Sequence, residues 1–387
     1  MHVLISTVPA IGHLHPVVPL ARALVARGHE VRWATGPDGC PIVAAAGLTA
    51  MPCGSSAAAS RDEYYLRFPV ARELRPEQLP GHMFPHLFGT VGAPPRLTDL
   101  LALVDTWRPD VVVHDAAELA APIVAATLGV PNVCHGFGAL TPSERVIAAS
   151  EAVAPLWRNA GLTPRPWAGC YDHLYLDIYP PSLSPAHGDY IARRQSLRPI
   201  PFSVDLSDGS EPFAPPDDDR PIVYLTFGTV FNAVAGAFSA ALDGLAELAV
   251  HVVVTVGPNA DRHAFGAQPD NVSVFDYVPQ TTILPVSTLV ASHAGSGTFL
   301  AALDHALPQL CLPQAADQFA NAQCGTNAGT ALRLLPDEVN PDAVRDAAAR
   351  LLSEPSFAAN ASRIRTELHA MPSPDTVAVT IERLATP

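Results

Sequence analysis

Short β-branched runs alternate along this chain with alanine-rich stretches of helical spacing. Nine runs read as strands: His2–Thr7, Glu30–Thr35, Val111–His114, Asn132–His135, Ile222–Phe227, His251–Val256, Val272–Asp276, Leu289–Ser292 and Gln309–Leu312. They are apolar almost throughout instead of alternating, the mark of strands covered on both faces. With helices between them, the pattern predicts an α/β protein built on parallel sheets. The strands fall into two groups. Between them Arg198 to Arg220 carries Pro199, Pro201, Pro212, Pro215 and Pro216 and the run Asp217-Asp218-Asp219, a composition that reads as a linker. The expected division is an N-terminal domain 1–205, a linker 206–220, a second domain 221–372 and a C-terminal helix 373–387. Doubly wound units bind ligands beyond the carboxyl ends of their strands, so a cleft between the two is the expected site.

Two segments break the pattern. Ser55 to Pro95 carries Tyr64, Tyr65, Phe68, Met83, Phe84 and Phe88 among prolines with little periodicity, and Thr141 to Pro181 carries Trp157, Trp167, Tyr171 and Tyr175. Long structured loops of this kind hold a large apolar ligand or pack locally on themselves. Phe84, Phe88, Phe137 and Trp157 are the candidates for ligand contact.

Composition narrows the chemistry. The chain has 387 residues, 48% of them hydrophobic and 16% charged, enough apolar material for two cores. A net charge of −14 argues against a general nucleic-acid binder, which needs a basic face. All 23 basic residues are arginine. Without lysine there is no Walker A loop, no Schiff-base chemistry and no kinase strand lysine. The six scattered cysteines form no CxxC pair, which argues against a disulfide framework and for a reducing compartment. The N-terminus has no cationic leader, and the longest apolar stretch, Leu119 to Val133, is broken by Pro122 and Pro131. A cytoplasmic protein without membrane association is expected.

Three stretches carry the candidate chemistry. In the first, Gly12 follows strand one in Ile11-Gly12-His13-Leu14-His15-Pro16, where it permits a tight turn and Pro16 suits a first helical turn. His13 there is a cap, a packing residue or a base, and His15 is its rival. In the second, Asp115 ends the strand Val111–His114, close to the first loop in a doubly wound sheet. It either orients His13 or caps the next helix, and one carboxylate can do both. In the third, His293-Ala294-Gly295-Ser296-Gly297-Thr298 joins a strand to a helix. Its glycines and helix N-terminus suit a diphosphate. Asp317 and Gln318 follow the next strand to the same sheet edge.

Together these residues resemble the family 1 nucleotide-sugar glycosyltransferases of the bacterial natural-product branch, over nearly the whole chain. The resemblance implies a GT-B fold, two Rossmann-like domains facing across a cleft, with the C-terminal helix packed back on the N-domain. It makes His13 the general base and Asp115 its support. On the donor side it assigns Gly228 and Thr229 to a loop facing the donor, and Tyr277, Val278 and Gln280 to the base. His293, Gly295, Ser296, Gly297 and Thr298 fall on the diphosphate, and Asp317 and Gln318 on the sugar hydroxyls. Three residues after Thr298, where uridine-diphosphate users carry a glutamate on the ribose, stands Ala301, which favours thymidine diphosphate and a deoxysugar.

The expected activity is inverting, metal-independent transfer of a deoxyhexose to a hydrophobic aromatic or macrocyclic acceptor. It requires no cofactor, the nucleotide sugar being a substrate, and a homodimer is compatible with it. The alternatives are a non-catalytic auxiliary protein of the same fold and a sugar-nucleotide epimerase. Asp217-Asp218-Asp219 contains an Asp-x-Asp pattern but lies in the linker. His82 and His86 have zinc-like spacing but flank Pro85 and lack a third ligand.

Overall fold

The computed structural model describes residues 1–184, 188–202, 213–216, 218–228, 235–257, 266 and 268–386. Thr229, Asp217 and linker residues 206–212 lie outside them. The chain divides into two compact units. The first comprises Met1–Tyr179, Pro185–Val204 and Met371–Pro387, the second Pro180–Ser184 and Asp205–Ala370.

The first unit holds a seven-stranded sheet of β1 (His2–Ser6), β2 (Glu30–Thr35), β3 (Thr49–Pro52), β4 (Val111–Asp115), β5 (Asn132–His135), β6 (Leu174–Asp177) and β7 (Arg194–Ser196). Their order is β3-β2-β1-β4-β5-β6-β7, all parallel. Val3 registers with Val31 and Val111, and Ile5 with Trp33 and Val113, which stacks the apolar positions into continuous rows. On one face Leu4, Val112 and Cys134 pack against Leu100, Ile123 and Val153 from the helices. Burying each such aliphatic side chain contributes about 1.5–3 kcal/mol.

The second unit repeats the plan with β8 (Ile222–Thr226), β9 (His251–Thr255), β10 (Val272–Phe275), β11 (Leu289–Ser292), β12 (Gln309–Cys311) and β13 (Ala331–Arg333). Their order is β10-β9-β8-β11-β12-β13, again all parallel. Val223, Leu225 and Val252 face Phe238, Leu242 and Val344, while Tyr224 and Val253 face Ile283, Leu284 and Ala301. With both faces covered, alternation has no physical basis here. In each sheet the strand order reverses at the first strand, and the crevice beyond its carboxyl end is the natural ligand position.

The structure corrects three local readings. The segment from 55 to 95 is largely helical: Ala57–Arg67, capped by Ser56, then Leu79–Met83, then a π-helical stretch Phe84–Gly92 that runs into Ala93–Thr106. Pro69 and Pro80 stand in first turns, where a missing N–H breaks no bond, and Pro85 falls where the α-helix passes into the π-helical stretch. Gly12 lies in a one-turn helix, Ile11–Leu14, with no left-handed φ, so its turn does not require glycine. Trp157 is a core residue, 1% exposed, on the stripe Val146, Ala149, Val153, Trp157 of helix Ser143–Asn159. Its ring lies against Gly169, where a Cβ would stand 2.7 Å away.

The C-terminal helix, Pro374–Ala385, belongs to the first unit and buries Val377, Ala378 and Ile381. Its Glu382 accepts from Arg27 at 2.7 and 2.8 Å and from His29 at 2.7 Å. Such partly exposed pairs contribute little, and the apolar face supplies most of the anchoring.

Candidate active site

In the first unit the residues at the switch point converge. Ser6 pairs with His114 across β1 and β4, so the next residues, Thr7-Val8 after β1 and Asp115 at the end of β4, lie side by side at the carboxyl edge of the sheet. Asp115 is fully buried. Its Oδ2 accepts the Val8 N–H at 2.8 Å, and its Oδ1 lies 2.8 Å from the Ala117 N–H and 3.0 Å from His13 Nδ1. Burial by itself raises the pKa of this carboxyl. The His13 charge and hydrogen bond and the two backbone N–H groups outweigh that, holding it below the ordinary carboxylate range.

With Nδ1–H donated to Asp115, the lone pair of His13 lies on Nε2. An imidazole oriented in this way can take a proton there. Phe137 lies against the ring at a centroid distance of 4.1 Å, and Phe88 at 5.9 Å. Phe84 meets Phe88 edge-on and is itself buried. His15 packs edge-on to Phe202, and burial lowers its pKa. Among the described residues, His13 and not His15 meets Asp115.

The switch point of the second unit lies between β8 and β11. Gly228, after β8, and Gly295, after β11, enclose the His293 ring: a Cβ on Gly228 would stand 2.9 Å from Cε1, and one on Gly295 2.5 Å from Nε2. Gly228 also has φ +70°. Burial pushes the His293 pKa down to about 4 against the opposing effects of Asp317 and a hydrogen bond to the Thr226 backbone. His293 Nδ1 is buried without a hydrogen-bond partner among the described residues. His135, fully buried on β5, is likewise pushed down to about 4.

Both imidazoles stay neutral in the folded chain, while in the unfolded chain they take up protons below the ordinary value of 6.5. Unfolding therefore binds protons in this window. We expect stability to fall as pH drops from about 6.5 toward 4. Urea midpoints at pH 7 and 4.5 check this, and equal midpoints would contradict the neutral assignment.

Helix Ser296–Asp304 begins at Gly295 and brings Gly297 and Thr298 into its first turn. Thr298 Oγ1 accepts from Gln280 Nε2 at 2.9 Å, so its own proton stays available to donate. Gln280 in turn meets the hydroxyl of Tyr224, which bonds Thr255 Oγ1 at 2.8 Å. Tyr277 and the buried Val278 precede Gln280 with Pro279 between. The Ser296 hydroxyl is committed elsewhere: it donates to Asp317 Oδ2 at 2.5 Å. Only its backbone N–H remains for an anion. Gln318 Oε1 accepts the N–H groups of Gln314 and Ala315, which fixes the amide and leaves its NH₂ to donate.

Sequence reasoning missed Tyr224, Thr226 and Thr255, which are polar residues hidden in apolar strands, and Asn321. The last is legible as the partner of Asp317 at helical i, i+4 spacing.

Two all-parallel α/β units with polar switch points define a class. The glycosyltransferase VinC in complex with dTDP has 28% sequence identity and a TM-score of 0.79, covering 100% of this chain and 99% of that one. The spinosyn rhamnosyltransferase SpnG complexed with thymidine diphosphate gives 28% and 0.79, covering 99% and 100%. The fold is that of the GT-B glycosyltransferases. The N-terminal domain of the erythromycin biosynthesis protein CIII-like family matches residues 22–196, and its C-terminal domain matches 239–384. The elloramycin glycosyltransferase ElmGT of Streptomyces olivaceus is 34% identical, over 98% of this chain and 96% of its own length. The chain belongs to this family of antibiotic glycosyltransferases and is a glycosyltransferase. No described helix is long and apolar enough to cross a membrane.

Proposed function

We propose that the protein transfers a deoxyhexose from thymidine diphosphate to a hydroxyl of a hydrophobic natural product, by a single displacement that inverts the anomeric carbon. The observation that carries this reading is the His13–Asp115 pair at 3.0 Å, with Phe88 and Phe137 against the imidazole. His13 Nε2 removes the acceptor proton as the oxygen attacks, and Asp115 stabilises the imidazolium that forms. Phe88 and Phe137 offer an apolar surface to the acceptor; Trp157, being core, is left out.

In the second unit the N–H groups of the turn before Thr298, together with the free Thr298 proton, stabilise charge as it develops on the departing diphosphate. No metal is required for that step. Asp317 and Gln318 hold the sugar hydroxyls. The buried His293 ring, enclosed by Gly228 and Gly295 and with Nδ1 unpartnered among the described residues, supports the reading of this turn as a ligand site.

Thymidine is favoured by what surrounds Ala301. This residue is 1% exposed in an apolar cluster with Val278 and Ile283. With alanine there is no side-chain acceptor at this position for a ribose 2′-hydroxyl, so a ribonucleotide forgoes a hydrogen bond worth about 1–3 kcal/mol, or roughly 5- to 150-fold in affinity. Deoxyribose avoids the cost. The homologous structures that hold thymidine diphosphate support the same choice.

Calorimetric titration with dTDP and with UDP tests the reading, and tighter dTDP binding by at least about fivefold is expected. Equal affinities would remove the Ala301 argument and leave the enzyme class intact. Absence of binding by either would favour an auxiliary protein.

A further inference from the structure

Asn321 lies on helix Gln318–Asn327 and is fully buried. Its Nδ2 lies 2.9 Å from Asp317 Oδ2, 3.0 Å from Ser296 Oγ and 2.9 Å from the Ala294 carbonyl. It thus joins three pieces of chain. Ala294 sits in the left-handed region at φ +61°, a conformation that costs a non-glycine residue energy and persists only where its surroundings impose it. Ser296 opens the helix that carries Thr298. Asp317 precedes the helix on which Asn321 sits.

Asp317 Oδ2 takes the Ser296 O–H and the Asn321 amide, whereas Oδ1 takes no hydrogen bond from the described residues. Ser296 gives its single proton to Asp317, and the two Asn321 amide protons are shared among Asp317 Oδ2, Ser296 Oγ and the Ala294 carbonyl, so the triad is closed. A carboxylate tied by one oxygen has its torsion set and presents the other at a fixed place.

We propose that Asn321 is a positioning residue for the donor. Through its amide and Ser296 it fixes Asp317, so that Oδ1 meets a sugar hydroxyl, and it ties that carboxylate to the Ala294–Ser296 turn beside the diphosphate. This rests on the assignment of Asp317 to the sugar made above. Asn321 touches no substrate and acts through Asp317. Its loss affects the sugar more than the nucleotide, because the turn keeps a second support, the Ala294 N–H bond to Ser292 Oγ at 3.1 Å.

The test is titration of the full chain with dTDP and with dTDP-glucose, each for the wild type, Asn321→Leu and Ser296→Ala. Asn321→Leu is expected to weaken dTDP-glucose binding by roughly tenfold and dTDP binding by about threefold or less. Ser296→Ala removes the other bond to Oδ2 with little change in packing and serves where the buried leucine impairs folding. It should show the same sugar-selective loss, and the double variant should lose less than the product of the two, because both act on one carboxylate. Equal losses for the two ligands, unchanged dTDP-glucose binding, or strictly multiplicative losses would overturn the inference. A wild-type chain that binds dTDP but neither dTDP-glucose nor a dTDP-6-deoxyhexose would overturn the sugar assignment and this inference together. One that binds neither would overturn the functional reading itself.

Discussion

His13→Ala is expected to lower acceptor-dependent release of dTDP by roughly 10²- to 10⁴-fold while leaving dTDP affinity within about twofold of wild type. The size follows from the chemistry. A hydroxyl attacking the anomeric carbon must lose its proton near the transition state, and among the described residues His13 is the imidazole held by a buried carboxylate beside aromatic surface. Affinity for dTDP is retained because the residues assigned to the donor lie in the other unit. Asp115→Asn should cost on the order of 10² by the same route. An amide cannot accept from the Val8 and Ala117 N–H groups and from His13 together: one of its two ends carries protons and would confront a donor. Initial rates with dTDP-glucose and a panel of phenolic acceptors, paired with dTDP titration, measure both effects. Transfer by His13→Ala at the wild-type rate would remove the base assignment.

Asp115 also contributes to stability with a definite sign. Its folded pKa lies below the ordinary value, so the stabilisation is present above about pH 4 and is lost as pH falls below that. The same bonds that orient His13 therefore secure the loops after β1 and β4 at neutral pH.

Much of the fold is legible in the order of residues alone. The nine strands read from β-branched runs are all present, because a strand buried on both faces has a strong and simple signal. Strands β3, β6, β7 and β13 escape that reading. Thr49–Pro52 and Arg194–Ser196 are short, edge-lying and partly polar, and Ala331–Arg333 has only three residues. The helices between 57 and 92 are hidden by prolines, Pro69 and Pro80 at helix starts and Pro85 at the passage from α- to π-helix. Trp157 shows the opposite error. Its spacing with Val146, Ala149 and Val153 marks a core stripe, and its aromatic character draws attention away from that periodicity. In the candidate site, spacing indicates which residues reach the sheet edge, but the state of each hydroxyl depends on its three-dimensional neighbours. Ser296 and Thr298 look equivalent in sequence, yet one proton is committed to Asp317 and the other is free.

Arg96→Met is the substitution expected to destabilise the first unit most, by about 3–5 kcal/mol. Arg96 is 4% exposed near the start of helix Ala93–Thr106, and its NH1 donates to the Thr7 carbonyl at 2.8 Å. Its Nε lies 3.8 Å from Glu118 Oε1, and both side chains are almost wholly buried. Glu118 also accepts the Ala120 and Ala121 N–H groups at the start of helix Ala121–Leu128. Methionine keeps much of the stem but leaves a buried carboxylate without its cation and the Thr7 carbonyl without its donor. The damage reaches the site, because Thr7 immediately precedes Val8, whose N–H holds Asp115. Arg96→Met paired with Glu118→Leu removes both charges and should recover part of the loss. All four tryptophans, Trp33, Trp107, Trp157 and Trp167, belong to the first unit, so tryptophan fluorescence during urea unfolding follows that unit specifically. A single variant within about 1 kcal/mol of wild type, or a double variant no more stable than the single, would show that the buried pair is not what holds the loops beneath His13 and Asp115.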